Sequence, residues 1–491
     1  MNTTGKQHRA VLQKIARRVM LEKGLLPDFS AEALAELDRI QDSSTTNGGH
    51  LRDFRDLLWA SIDNDDTRDI DQLTVAETMP GGEVKILVAV ADVDSIIKSG
   101  SAIDDHARHN ATSVYTAAAI FPMLPEKLST NLTSLNFNED RFAIVFEMVA
   151  GADGSLRASD IYRARVCNRA KLAYSSAGAW LEGTGIMPEA VAAVNGLDEN
   201  LRVQDAAAQR MKNLRHSRGA LSFETIEARP VFEGDEIRDL VVDKKNRAKD
   251  IIENFMIAAN SVAARYLSSN KLPSLHRVVR TPKRWDRIVE IASEHGFRLP
   301  YEPDSKMLEE FLMRQKEADP LRFPDLSLSI IKLLGPGEYV AELPGEADTS
   351  GHFGLAVRGY AHSTAPNRRY TDLVTQRLLK AAMEVKTPPY SNSELEALAR
   401  HCTDGEDAAN KVERQVGKSV AALLFQSKIG ERFEAIVTGA APKGTWVRIL
   451  QPPIEGKLVQ GFEGMDVGHR IRVQIVHTDV EKGFIDFKKI D

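Results

Sequence analysis

The stretch SIDNDDTRDIDQL, residues 61 to 73, carries five aspartates within nine positions. So many like charges on one short segment repel each other unless they lie in water or share a cation. Oxygen ligands with no neighbouring His or Cys suit Mg²⁺ or Ca²⁺ rather than zinc. The segment therefore predicts either a cation site or an acidic surface loop, built from Asp63, Asp65, Asp66, Asp69 and Asp71.

The residues around the aspartates favour an organised magnesium site. An EF-hand loop that begins at Asp63 would need Gly at its sixth position and Glu at its twelfth, where Arg68 and Thr74 stand. That failure points to Mg²⁺ and phosphate chemistry. Strand-like apolar runs flank the cluster, LLWASI (57–62) before it and LTVAETM (73–79) after it, and they indicate an ordered setting.

Beyond the cluster, strand and helix patterns alternate irregularly, which is typical of one mixed domain rather than repeated βαβ units. The run EVKILVAVADV (83–93) predicts a strand that follows a turn at PGG (80–82). We place this mixed α/β domain at 50–392 and a helical connector at 393–428. Within the domain, helical patterns cover 250–267, 285–294 and 372–383.

The last segment, 429–491, is predicted to be a small all-β barrel. Five short strand-like runs separated by Gly, Pro or Asp fill about 60 residues, which is the expected content of an OB fold. Trp446 and Arg448 alternate on one run, just after Lys443. An aromatic ring with cations on an OB surface binds single-stranded nucleic acid by stacking and charge. A core Trp and a solvated Arg are the equally weighted alternative.

The first segment, 1–49, is predicted to be helical and basic. Apolar positions at helical spacing indicate a helix over 6–23 that ends at Gly24, and Ser30 has the character of a cap for a second helix. The run DSSTTNGG (42–49) has the composition of a linker. The basic first helix is a candidate RNA contact, but a docked cap with a solvated basic face is the favoured interpretation.

Composition narrows the class of protein. Lys and Arg number 64 against 70 Asp and Glu, a formal charge of −6, which argues against coating nucleic acid or anionic membranes by bulk charge. Cys167 and Cys402 form no C-x-x-C motif, which argues against a zinc ribbon or a disulfide framework. No apolar run approaches the ~18 residues of a membrane span, and the N-terminus lacks a signal peptide's apolar core, so we expect a cytoplasmic protein.

The acidic stretch resembles the active-site signature of the ribonuclease II family, in which an Asp after a Thr/Ser-Ile pair is followed by five residues and D-x-D-D. The resemblance covers roughly 50 to 491, with several motifs in the family's order. They are VAVADVDSIIKSGSAIDDHARHNATSVY, FPMLPEKLSTNLTSLN, CNRAKLAY, IIENFMIAAN, GHFGLAVRGYAHSTAPNRRYTDLVTQRLLK and the terminal OB fold.

The resemblance implies an α+β protein with a large RNB-type catalytic domain and an OB-fold domain of the ribosomal S-one type. The chain departs from the family at its front, where members usually carry cold-shock domains and segment 1–49 is predicted to be helical, so we expect a short bacterial-type member that lacks those domains. Its expected activity is hydrolysis of single-stranded RNA from the 3′ end, with two Mg²⁺ ions, to 5′-mononucleotides. We expect no nucleotide cofactor and no membrane partner, and nothing in the sequence demands more than a monomer.

The matching motifs imply roles for individual residues. Asp63 and Asp69 match carboxylates of the metal cluster, and Asp71 matches the one placed most directly at the scissile phosphate. Arg368 matches an arginine on the phosphate near the metals, and Tyr174 matches a tyrosine close to the scissile bond.

Three further residues match positions that hold the RNA. Tyr115 and Phe223 match aromatics on either side of the terminal bases, and Glu253 matches a glutamate that holds the terminal nucleotide. Stacking on such rings is tolerant of sequence, at roughly 1–3 kcal/mol per base. Without the matching context, these would be ordinary core or rim aromatics and a solvated carboxylate.

One departure from the signature affects the metal site. Gln72 stands where the family has its last aspartate. An amide oxygen still coordinates Mg²⁺, but it brings no charge and cannot act as a base. We therefore expect one ion to be weakly held through Gln72, or Asp65 or Asp66 to move in to compensate.

Two functions follow from this pattern. The first is a Mg²⁺-dependent 3′→5′ exoribonuclease. The second, motivated by Gln72, is a catalytically weak or silent RNA-binding protein on the same fold. A silent descendant would be expected to lose more of the site, so the enzyme is favoured by the retained Asp63, Asp69, Asp71, Tyr174 and Arg368.

Overall fold

The computed structural model describes residues 8–40, 51–225, 228–242, 245–345, 351–449, 452–465 and 469–490. The predicted linker at 42–49 lies outside the described residues. Within these ranges the α+β class is confirmed: a mixed helix-and-sheet body follows two N-terminal helices and precedes a small closed barrel.

The N-terminal helices begin and end at the signals in the sequence. They are α1 (His8–Glu22) and α2 (Ala31–Arg39). Gly24, just after α1, takes a positive φ of 77°, which suits a residue without a Cβ. The Ser30 hydroxyl accepts the N–H of Ala33 and so satisfies an unpaired donor at the start of α2.

A central sheet organises the large domain. Its part of the chain contains the strands β1 (Arg52–Asp53), β2 (Ala60–Asp63), β3 (Gln72–Thr78), β4 (Val84–Ala91), β5 (Val114–Tyr115), β6 (Ile120–Phe121), β7 (Asp140–Ala150), β8 (Leu156–Cys167) and β9 (Ala170–Ala173). Seven of them pair in the order β1-β8-β7-β4-β3-β2-β9, while β5 and β6 form a separate hairpin. The central β4 is apolar and buried along almost its whole length, as its sequence predicts.

Helices cover the sheet and extend the domain. They are α3 (Ala102–Asn110), α4 (Tyr174–Leu181), α5 (Glu189–Ala192), α6 (Leu197–Ser217), α7 (Arg247–Ser269), α8 (Trp285–Glu294), α9 (Ser305–Ala318), α10 (Phe323–Leu334) and α11 (Tyr370–Met383). α7 contacts β2, β4, β7 and β8, and α6 packs on β3. The second apolar core lies among α8, α9 and α10. Three short antiparallel pairs complete the domain: β10 (Ala228–Glu233) with β11 (Glu236–Val242), β12 (Ser274–Val278) with β13 (Glu338–Glu342), and β14 (Gly351–His352) with β15 (Val357–Arg358).

One long helix, α12 (Asn392–Phe425), connects this domain to the barrel, and a reciprocal capping box between Ser391 and Glu394 begins it. The barrel closes in the order β16-β17-β18-β20-β19 around its own apolar core. Its strands are β16 (Arg432–Ala441), β17 (Gly444–Ile449), β18 (Ile454–Gln460), β19 (Arg470–Asp479) and β20 (Phe484–Ile490).

The basic helix α1 is docked rather than free. Its buried side chains pack in one cluster with Val114 of β5 and with Val412 and Val416 of α12. Arg17 pairs with Asp28, and Arg18 pairs with Glu22 and Glu481. This packing and pairing support the docked cap. Among the described helices, none combines the length and apolar character needed to cross a bilayer.

Candidate active site

The aspartates lie at one end of the central sheet. Asp63 ends β2 and Gln72 begins β3, so the residues between them form the connection of two neighbouring antiparallel strands. The Asp63 carboxylate accepts the N–H of Asn64 at 2.7 Å and the Thr67 hydroxyl at 3.0 Å. Burial raises the pKa of Asp63, and the charge of Asp69 adds to this rise, while Arg368 opposes it.

Asp71 is the most deeply placed of these carboxylates. Its Oδ1 accepts the backbone N–H of Asn367 at 3.0 Å, and its Oδ2 lies 3.4 Å from Nε of Arg368. Burial raises the pKa of Asp71 to about 7, although Arg368 acts to lower it. Both partners belong to the segment that precedes α11, so this distant segment closes over the acidic connection.

Tyr115 joins the same group through its hydroxyl. It donates to Oδ2 of Asp69 at 2.8 Å, and its backbone N–H donates to Glu413 of α12 at 2.7 Å. Burial and the charge of Asp69 raise the pKa of the Tyr115 hydroxyl. The structure therefore places this ring, the carboxylates and Arg368 in one electrostatically coupled site.

Of two other predicted residues in the described part of the chain, Tyr174 lies next to this group along the chain, and Glu253 lies on α7 with no hydrogen bond or ion pair to it. Asp63 pairs with Ala173 on β9, and the next residue, Tyr174, begins α4. Its ring lies 5.7 Å from Nζ of Lys249. On α7, Glu253 accepts a hydrogen bond from Arg215 at 3.0 Å, and its side chain remains 43% exposed.

Phe223 lies with a different core, as a half-buried side chain against the cluster of α8, α9 and α10. The preceding Ser222 donates both its backbone N–H and its hydroxyl to the carboxylate of Glu309, at 2.6 Å each. Glu309 on α9 therefore fixes the irregular segment that presents Phe223. No local sequence pattern links Ser222 to Glu309, because 87 positions separate them in the chain.

The barrel residues depart from expectation in one case. Trp446 is half-buried on β17, but Arg448 is not a free cation. Its guanidinium pairs with Asp325 of α10, and only 12% of its side chain is exposed. The pair joins the barrel to the large domain and differs from the solvated Arg of the alternative interpretation. A contact between Arg448 and RNA stays a prediction.

Gln72 and the aspartates offer the oxygen donors that a hard divalent cation prefers. Burial, with a smaller contribution from the charge of Asp69, raises the pKa values of Asp63 and Asp71, and Arg368 opposes the rise in both. The donor chemistry therefore fits Mg²⁺. Across the described ranges, no three His, Cys, Asp or Glu side chains are already gathered to hold a metal ion, and the Gln72 side chain makes no hydrogen bond to Asp63 or Asp71.

Three contacts of the site were missed from sequence: the Asn367 N–H on Asp71, Glu413 on Tyr115 and Arg215 on Glu253. Asn367 stands 296 positions from Asp71, and Glu413 stands 298 from Tyr115. The residue next to Asn367, Arg368, was found through its motif. That adjacency is the one signal that could have pointed to Asn367.

Known proteins match nearly all of this chain. Residues 51–385 match the RNB domain, and residues 431–490 match the RNase II-type exonuclease C-terminal S1 domain. Ribonuclease R of Aquifex aeolicus is 28% identical, over 97% of this chain and 70% of that protein. Ribonuclease R of Escherichia coli is 31% identical over 89% of this chain, which spans 57% of that protein's length.

Solved structures share the fold. The RNase R of Mycoplasma genitalium in complex with ribose-methylated single-stranded RNA has a TM-score of 0.86 at 21% identity, over 98% of this chain and 78% of that one. Yeast Ssd1, described as a pseudonuclease, has a TM-score of 0.69 at 16% identity, over 91% of this chain and 55% of that one. At these identities the likeness shows the fold alone.

Proposed function

The chain belongs to the RNB-domain family, and from that premise we propose that it hydrolyses single-stranded RNA from the 3′ end, with Mg²⁺, to 5′-mononucleotides. One observation carries the proposal. Asp71 is buried between the Asn367 N–H and the Arg368 guanidinium, beside further carboxylates, where a protein without a ligand for this site would gain nothing from burying it.

Mg²⁺ would be held by oxygens of Asp63, Asp69, Asp71 and Gln72. Bound there, the cation supplies polarisation of the phosphate and of the attacking water. The family resemblance suggests two ions. The raised pKa values of Asp63 and Asp71 support a positively charged ligand, because a cation would offset the hydration lost on burial and the repulsion from Asp69.

Residues of the chain itself would position the RNA. Arg368 keeps its charge at neutral pH and, with 43% of its side chain exposed, can reach a phosphate oxygen while it stays near Asp71. Tyr115 is held to Asp69 by its hydroxyl, so its ring is available at a fixed place for a base. Tyr174 would lie near the scissile bond.

The remaining assignments concern the end of the RNA. Glu253 would hold the terminal nucleotide, and its bond to Arg215 restricts the rotamers of its carboxylate. Phe223 would stack on the far side of the terminal bases from Tyr115. Trp446 would add a stacking surface on the barrel, without the help of Arg448.

A second candidate is a catalytically weak or silent RNA-binding protein. Gln72 favours it because the amide carries no charge to hold a cation. The absence, among the described side chains, of a ready-made group of three metal-ligating residues points the same way. The fold is shared by a pseudonuclease, so the fold does not decide between the two.

A nuclease assay separates the two functions. The purified protein is incubated with 5′-labelled single-stranded RNA or DNA, with Mg²⁺ or with EDTA, and the products are sized. We expect RNA to shorten from its 3′ end in Mg²⁺ alone. Asp71→Asn should reduce the rate on the order of 10²–10³-fold. Asp160→Asn removes the same charge from an exposed position on β8 and should not change the rate.

RNA binding without shortening would support the silent protein and overturn the enzyme. Gln72→Asp in the same assay tests the departure from the family signature. A faster rate, or a rate that saturates at less Mg²⁺, would mean that the amide limits use of the cation. An unchanged rate would mean that other oxygens already do its work.

A further inference from the structure

One side chain of the site lacks a partner that its position demands. Asn367 is fully buried, and its amide nitrogen Nδ2 has no hydrogen-bond partner. Its backbone N–H bonds the Asp71 carboxylate at 3.0 Å. Leaving a buried amide group unpaired costs about 1–3 kcal/mol, so such a group at a candidate active site calls for an explanation.

Asn367 joins two segments of the site. Its backbone N–H bonds Asp71, and its side-chain amide contacts the hydroxyl of Thr133. The next residue, Ser134, bonds the acidic connection between β2 and β3. Its hydroxyl accepts the N–H of Ile70 at 3.0 Å and donates to the carbonyl of Arg68 at 3.0 Å. Asn367 is thus buried between Asp71 and the segment that bonds the connection between β2 and β3.

The hydrogen bonds of Thr133 decide which end of the amide is free. Its hydroxyl also lies 2.8 Å from the carbonyl of Leu128, but a hydroxyl has one proton and cannot donate to both acceptors. Turning the amide over resolves this conflict: Nδ2 of Asn367 then donates to the Thr133 oxygen, and the Thr133 proton goes to Leu128. The unpaired end is then the carbonyl oxygen, Oδ1.

A buried, unpaired carbonyl oxygen is a ligand type that Mg²⁺ accepts, and this one belongs to the residue whose backbone N–H bonds Asp71. We propose that Asn367 Oδ1 is a cation ligand of this site, in addition to the carboxylates of Asp63, Asp69 and Asp71. The proposal rests on the proposed function, because it requires a cation there. The proposal also bears on Gln72, which stands where the family has an aspartate. Asn367 Oδ1, from a distant segment, would fill the coordination position that this aspartate would otherwise occupy.

Direct cation binding tests this role without any assay of activity. Mn²⁺ is titrated by calorimetry into the full-length, metal-free protein in the absence of RNA. Asn367→Leu should bind Mn²⁺ about 10-fold or more weakly than the unmodified protein. Asn367→Asp keeps the size of the side chain and adds a charge, so it should bind Mn²⁺ more tightly by a similar factor.

Melting temperatures distinguish a ligand from a structural amide. Asn367→Leu removes the unpaired oxygen together with the bond from Nδ2 to Thr133, whose hydroxyl keeps its bond to Leu128. These two effects oppose each other, so the metal-free variant should melt close to the temperature of the unmodified protein. The matched control is Asn200→Leu on α6, whose amide bonds both the N–H and the carbonyl of Ala76. That variant should melt at a lower temperature and bind Mn²⁺ with unchanged affinity.

The outcomes separate the two proposals. Equal Mn²⁺ affinity in the unmodified protein, Asn367→Leu and Asn367→Asp would overturn the ligand role and leave the exoribonuclease proposal standing. An unmodified protein that neither binds Mn²⁺ nor shortens RNA would overturn both. If Asn367→Leu does not fold, Asn367→Asp alone tests the ligand role. An unchanged Mn²⁺ affinity in Asn367→Asp would also overturn it.

Discussion

Two groups of aspartates in the large domain are neutralised in opposite ways. The first, the balanced cluster, consists of Asp92, Asp94 and Asp104 with Arg163, Arg377 and Lys380. Arg377 lies 3.0 Å from Asp94 and 2.8 Å from Asp104, and Lys380 pairs with both Asp92 and Asp94. Three anions and three cations hold together the segment after β4, the helices α3 and α11, and the strand β8.

The second, the acidic site, consists of Asp63, Asp69 and Asp71. Here Arg368 is the cation that acts on both the half-buried Asp63 and the buried Asp71, at the edge of solvent. The pKa of Asp71 is raised to about 7, whereas the pKa of Asp94 in the balanced cluster is lowered by Lys380 and Arg377 against its burial. Where the protein supplies the counter-charge, the cluster is structural. Where the counter-charge is left to a ligand, the cluster is available for function.

Arg377→Met should have the largest effect, because it leaves two buried carboxylates without their shared cation. We expect the free energy of unfolding to fall by about 3–5 kcal/mol, measured by urea denaturation. Arg157→Met, which breaks the exposed pair with Asp153, is the matched control and should cost less than about 1 kcal/mol. A similar small loss at Arg377 would erase the distinction between the two clusters.

Adding Mg²⁺ should stabilise the protein through the acidic site alone. At a free concentration of 100 times its Kd, a ligand that binds only the folded state adds about 2.7 kcal/mol, which is read as a rise in melting temperature. Asp63→Asn should lose most of that rise, while Asp160→Asn should keep it. If Asp63→Asn gains as much from Mg²⁺ as the unmodified protein, the cation binds elsewhere.

Tyr115→Ala should weaken RNA binding by roughly 1–3 kcal/mol through the loss of one stacking surface. Fluorescence anisotropy with labelled single-stranded RNA in EDTA measures this without turnover. Tyr115→Phe keeps the ring but loses the hydrogen bond to Asp69. Its RNA affinity should therefore lie between that of the unmodified protein and that of Tyr115→Ala. Tyr301→Ala changes a tyrosine that is 93% exposed and serves as the control. Unchanged affinity in Tyr115→Ala would show that this ring is structural.

The pair between Arg448 and Asp325 should give the smallest effect. A double-mutant cycle with Arg448→Met and Asp325→Asn is expected to yield a coupling energy near 1 kcal/mol, below that of the balanced cluster, because Glu455 on the neighbouring strand still acts on Arg448 when Asp325 is changed. RNA affinity should stay within two-fold in Arg448→Met. A coupling near zero together with weaker RNA binding would restore Arg448 as an RNA contact.

Much of the fold was predictable because its signals are local. The apolar run of β4, the caps at Ser30 and Ser391 and the five strands of the barrel each depend on neighbours in sequence. The site was predictable only in part. Its carboxylates lie within one short segment, but the Asn367 N–H that bonds Asp71 comes from 296 positions away. Whether Asp71, Tyr115 and Arg368 act as proposed stays a prediction.

The sequence by itself determined the class of fold, the order of its elements and the type of oxygen donors at the acidic site. Only the tertiary structure decided which charges are paired: Arg377 meets Asp94 across 283 positions, and Arg448 meets Asp325 across two domains. The physical reason is that hydrophobic period and capping are set by adjacent residues, whereas burial and the nearest counter-charge are set by chain segments that meet only after folding.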